Sequence, residues 1–142
     1  MSYNTMRIPD RIPRFRWLAP LWIVCAVFWV TIEGDLQLTL LFGVLTTIVI
    51  VGTIARKFLA GRTLTLAVWL LTAVVMGALL GLGSGLLTLL LMAVKTGLHA
   101  HGPEFSAMEV SWVLQQIPLW VVAGLVAGLG VGLLLRFVFP PN

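Results

Sequence analysis

Residues 63–94 contain no charged side chain. A stretch like this has few options in water. As a helix it would extend about 48 Å, and a helix that is apolar on every side must be covered on every side. Three further apolar runs, Trp17–Ile32, Leu36–Ala55 and Pro118–Val138, take up most of the remaining chain. The 142 residues are 60% hydrophobic and only 10% charged. A soluble domain carries about a quarter charged residues, and small domains bury only about two-thirds of their surface. Hydrocarbon is the solvent that suits these runs. The expected fold class is therefore an all-α integral membrane protein with no sizeable soluble domain.

A membrane span needs about 20 residues. Spans are expected at about 17–33, 36–55, 63–94 and 118–138, giving four transmembrane helices in one domain over residues 17–138. A basic segment, residues 1–16, precedes them, and Pro9 and Pro13 argue against a regular helix there. A basic stretch before an apolar run also describes a signal peptide. No small-residue cleavage site follows Trp17–Ile32, so this run is expected to stay as the first span. The third run is too long for one ordinary crossing. A straight helix from Thr63 would leave the hydrocarbon near Gly83, with Leu86–Val94 in water. A tilt or kink at Gly81–Gly85, or a sheath from another protein, would resolve this. The alternative is a turn at GLGSG that makes a fifth crossing.

Charge decides between these layouts. With a cytoplasmic N-terminus, four crossings put Arg7, Arg11, Arg14, Arg16, Arg56, Lys57, Arg62 and Arg136 inside, together with Asp10. Lys95, Glu33, Asp35, Glu104 and Glu109 fall outside. This is a positive-inside pattern, and five crossings would spoil it by moving Arg136 out and Glu104 and Glu109 in. Both termini are accordingly expected to be cytoplasmic, in a bacterial-type inner membrane. Trp17, Trp22 and Trp69 then lie towards the inner boundary and Trp29, Trp112 and Trp120 towards the outer one, as aromatic belts do. The net charge of +4 is better explained by orientation and anionic lipid than by nucleic acid. The Arg56-Lys57…Arg62 loop is expected to meet anionic headgroups or an acidic partner.

Residues 99–117 form the expected outer loop. Within it, Ser106 and Glu109 have the spacing of a capping box. A short interfacial helix over about Ala107–Gln116 is expected, bending at Pro118 into the last span.

Two segments share a glycine pattern: GALLGLGSGLL at 77–87 and GLVAGLGVGLL at 124–134. On a helix, Gly77, Gly81 and Gly85 form one stripe and Gly124, Gly128 and Gly132 another, while Gly83 and Gly130 thin a second side. Small-xxx-small faces let helix backbones approach closely in lipid, so both stripes are expected to be packing surfaces. By depth they overlap only near Gly77 and Gly124 in antiparallel helices. At least one is therefore expected to receive a different helix, from this chain or from a partner subunit.

Lys95, His99 and His101, with Glu104 nearby, form the one polar cluster that could hold a cofactor. Their spacing matches no metal motif, and a histidine at the end of an apolar helix could instead ligate a haem or a pigment magnesium. The plainer expectation is that Lys95 and both histidines mark the outer interface, with Lys95 snorkelling to water. Cys25, the single cysteine, is expected to be a small core residue. The hydroxyls within the spans are expected to bond to the preceding turn. No nucleophile elbow, phosphate loop, zinc-helix motif or CxxC occurs, so an enzyme is not expected.

The expected function is a non-catalytic, small multi-pass membrane subunit that packs against other transmembrane helices of a larger complex. Its partners would be the lipid bilayer and other transmembrane subunits. The alternatives are a small homo-oligomeric channel or transporter, and a subunit supporting a pigment, haem or metal through His99 or His101.

Overall fold

The computed structural model describes residues 5–8, 18–32, 35–98 and 102–138. The elements run β1 (Thr5–Arg7), α1 (Leu18–Thr31), α2 (Leu36–Leu59), β2 (Thr63–Thr65), α3 (Leu66–Leu98) and α4 (Ala107–Val138). Among the described residues, α2, α3 and α4 are long and apolar enough to cross a membrane. The architecture is that of a multi-pass helical membrane protein. In α1 the expected first span is shorter than anticipated, at 14 residues, or about 21 Å. The third expected span also begins late, because Thr63–Thr65 form a strand.

Local chemistry accounts for where these helices begin and end. Asp35 caps α2, its carboxylate accepting from the backbone N–H groups of Gln37 (2.7 Å) and Leu38 (3.3 Å). At the other end of α2, the Arg62 N–H donates to the Leu59 carbonyl (3.1 Å), closing a turn through Ala60 and Gly61. Ala60 has φ −56° and ψ 133° and Gly61 has φ +73°, the type II pattern that requires glycine at its third position. The turn aims the chain at β1. β1 and β2 pair antiparallel, Thr5 opposite Thr65 and Arg7 opposite Thr63, and Ile8 extends the ladder by exchanging bonds with Arg62 and Gly61. The capping box at α4 forms in full. The Ser106 N–H donates to Glu109 Oε2 (2.8 Å) and the Glu109 N–H to Ser106 Oγ (3.2 Å).

Helix continuity decides against the alternative of a turn in α3 and corrects the expectation of a separate helix before the last span. α3 runs unbroken through Gly81–Gly85, so the turn required for five crossings does not occur. α4 is one continuous helix from Ala107 to Val138 with Pro118 inside it, so the expected short helix is the first part of the last span and not a separate element. Proline forfeits one helical hydrogen bond and costs about 3 kcal/mol. The packing of α4 on α3 continues on both sides of Pro118, with Val113 fully buried before it and Trp120 part-buried after it.

Each helix packs antiparallel on its neighbour in the chain. α3–α4 is the most extensive pair, followed by α2–α3 and then α1–α2. The buried positions of α3, Gly77, Gly81, Ser84, Gly85, Thr88, Met92 and Lys95, recur at intervals of three and four, as one packed helix face does. The result is an open row of helices and not a closed bundle. Among the described residues the buried apolar core comprises Trp29, Phe42, Val51, Met92, Phe105 and Val113. Large apolar side chains such as Phe28, Leu71, Leu90, Val126 and Leu134 are exposed along the outside. Cys25 is exposed as well, against the core position expected of it, because α1 packs chiefly on α2.

One place expected to be difficult is resolved by register. Thr88 lies against Gly43, and Gly83 against Thr47, which brings the start of α2 level with Lys95. Leu86–Val94 therefore run alongside α2 within the row. The excess length of α3 falls at its other end, beyond the C-terminus of α2.

Candidate functional site

The row gathers its polar chemistry at three places: a buried lysine at one end, a seam of hydroxyls through the middle, and a basic cluster at the other end.

The buried lysine is Lys95, only 1% exposed. Its Nζ donates to the carbonyl of Ile32 at 2.5 Å, lies 3.8 Å from Glu104 Oε2, and sits 5.2 Å from the centre of the Trp29 ring. Ile32 follows the last residue of α1, where helix carbonyls lack intrahelical partners and the dipole is negative. Lys95 thus caps α1 from α3, neutralised by Glu104 and covered by an aromatic face. This corrects the expectation that it snorkels to water. Trp29 is held in turn by donating from its indole Nε1 to Thr39 Oγ1 (3.3 Å). The sequence pointed to Lys95 and Glu104 but not to Trp29 or Ile32. The one available signal was the tight α1–α2 connection, which leaves a helix C-terminus in need of a cation.

His99 and His101 lie outside the described residues. Among the described residues, no three His, Cys, Asp or Glu side chains converge as a metal ion would need.

The hydroxyl seam lies between α1, α2 and α3. Thr46, Thr47, Ser84 and Thr88 each donate to the carbonyl four residues earlier, at 2.6–2.8 Å, as expected of hydroxyls in membrane helices. Thr46 also accepts from Trp22 Nε1 (2.8 Å). Trp22 and Trp29 both stack on Phe42, with ring centres 5.6 and 5.2 Å away, so one phenyl group ties α1 to α2. Because Thr88 is satisfied within its own helix, Thr88→Val should cost under about 1 kcal/mol. Gly43→Ala should cost more, because the new methyl group would overlap Thr88 Oγ1 and lie 3.1 Å from the Thr88 backbone nitrogen. Unfolding titrations of both variants in detergent would rank them, and a Thr88→Val loss as large as that of Gly43→Ala would contradict this account.

Both glycine stripes are used up between α3 and α4. A Cβ on Gly77 would overlap the carbonyl oxygen of Gly124, and one on Gly124 would overlap that of Gly77. The stripes also meet where Gly77 faces Gly128 and where the Gly81 backbone nitrogen would lie 3.3 Å from a Cβ on Gly124. Beyond that point, Gly81 abuts the backbone of Trp120 and Val121. Gly85 abuts Ile117, whose Cγ1 would stand 2.5 Å from a Cβ at that position. Gly128 and Gly132 abut Ala73. The expectation that one stripe must receive another helix is corrected: each is covered by the non-glycine part of the other helix. Trp69 closes the end of the seam, donating from Nε1 to the Gly132 carbonyl (2.9 Å).

Arg56, Lys57, Arg62 and Arg136 are all exposed. The β1–β2 pair and the Trp69–Gly132 bond bring their elements to one end of the row. The described carboxylates, Asp35, Glu104 and Glu109, lie at the other. Between the two ends runs an apolar groove of about 340 Å³. It is floored by α3 and walled by Ala55 and Leu59 of α2 and by Val131 and Leu135 of α4. Leu36 and Leu40 of α2 pack against the cluster of Met92, Phe105 and Val113 at the lysine end, while towards the basic end the groove lies between α2 and α4.

Compared with known protein families, characterised proteins and solved structures, the chain matches none.

Proposed function

We propose that this chain is a non-catalytic subunit of a membrane complex. It crosses a bacterial-type inner membrane four times with both termini in the cytoplasm, and its outer flanks hold other transmembrane helices. The observation that carries this reading is the open row. A lone four-helix protein gains most by closing its helices around one core, whereas here α1 packs chiefly on α2 and α4 chiefly on α3, and both keep an apolar outer flank. The separation of charge supports the orientation. Arg56, Lys57, Arg62 and Arg136 share one end, which the positive-inside rule assigns to the cytoplasm.

The glycine stripes no longer argue for a partner, since α3 and α4 consume them. Partner contact belongs instead to the exposed faces of α1 and α4, including Val24 and Phe28 on the first and Val122 and Val126 on the second. Purification in a mild detergent should yield the chain together with larger membrane proteins, and single cysteines at positions 62 and 136 should be labelled from the same side. Recovery as a lone monomer would remove the subunit reading. Labelling from opposite sides would remove the four-span layout. Ion flux through liposomes holding the pure chain would favour a channel.

A further inference from the structure

We propose that the groove between α2 and α4 binds one acyl chain of an anionic phospholipid, whose phosphate is held by Arg56 and Arg136 with Lys57 and Arg62 around it. The inference rests on the membrane reading above and names a specific ligand for the basic end. The groove is lined almost wholly by carbon. Its one hydroxyl, on Thr72, is already spent on the Val68 carbonyl (2.7 Å). Such a lining suits a hydrocarbon chain, and the basic residues at its mouth suit the anionic headgroup that a phospholipid chain carries.

The charges stand where a headgroup would be. Arg56 shares a helix face with Leu59, three residues on, and Leu59 walls the groove. Arg136 follows Leu135, the wall on the other side, and stands one turn beyond Gly132. Guanidinium groups grip phosphate oxygens in a fork that a lone ammonium cannot form. Trp69 lines the same end of the groove with its indole N–H already engaged, so its ring presents an apolar edge at headgroup depth. The described carboxylates all lie at the other end, so the field at the mouth is positive.

The test uses the full chain in a mild non-ionic detergent after delipidation. Phosphatidylglycerol and phosphatidylcholine are added in parallel, and retained lipid is counted by native mass spectrometry with the melting temperature alongside. Phosphatidylglycerol should be retained at least fivefold more than phosphatidylcholine and should raise the melting temperature. R56Q/R136Q should reduce that retention to the phosphatidylcholine level, and A127F, which fills the groove, should reduce it as well. Melting without lipid reports whether each variant is folded; if A127F is not, A55F replaces it. Equal retention of the two lipids, undiminished retention by R56Q/R136Q, or undiminished retention by a folded groove-filling variant each overturns the proposal. A chain that stays monodisperse in buffer without detergent would overturn the membrane reading instead.

Discussion

Gly77→Leu should separate α3 from α4 and destabilise the protein by about 3 kcal/mol or more. Overfilling a packed interior costs about 1–3 kcal/mol where side chains can adjust. Here the obstacle is backbone: the carbonyl of Gly124, with the Cα of Gly128 2.9 Å from where the Gly77 Cβ would stand. A carbonyl group cannot rotate away without breaking its own helix, so the two helices must move apart along their length. Gly124→Leu should cost a similar amount. The double variant should cost far less than the two singles together, because helices already separated by one leucine have room for the second. Gly130 is the internal control. A Cβ there meets nothing within 4 Å, so Gly130→Ala should be neutral or stabilising by up to about 1 kcal/mol through helix propensity. Unfolding of the four variants in mixed detergent micelles provides the comparison. A Gly77→Leu protein as stable as Gly130→Ala would show that the α3–α4 contact is not the one described.

Lys95→Met should destabilise the opposite end by about 2–3 kcal/mol. The substitution nearly preserves volume but leaves the Glu104 carboxylate without the cation that it faces and the Ile32 carbonyl without its donor. Removing one member of a buried pair is costly because the other remains in place. The loss should be concentrated in α1, whose C-terminus the lysine caps, and should appear as faster hydrogen exchange in residues 22–31 while α3–α4 remains protected. Lys95→Met combined with Glu104→Gln should recover part of the stability, since both charges are then gone. If instead the single variant behaves like the parent and Glu104→Gln is equally silent, Lys95 reaches water and the capping account fails.

Much of this molecule could be read from local sequence. The apolar runs, the capping box at Ser106 and Glu109, and the hydroxyls bonded to the preceding turn depend on residues within four positions of each other. The same is true of the charge sorting, because helices that traverse the row must alternate their ends. Length alone could not divide α1 from its flanks. Nor did periodicity announce that residues 5–7 and 63–65 would pair, since three-residue strands carry too few positions to show alternation.

What remained depended on register between helices. Two identical glycine patterns look like surfaces awaiting partners until the offset of α3 and α4 places Trp120, Val121 and Ile117 over one and Ala73 over the other. Lys95 looks like an interfacial residue until α1 ends beside it. Sequence determines which faces are smooth, greasy or charged, because those properties belong to single side chains. Only the tertiary structure decides which face meets which, because a shift of one turn, about 5.4 Å, exchanges every contact along a seam while leaving each helix unchanged.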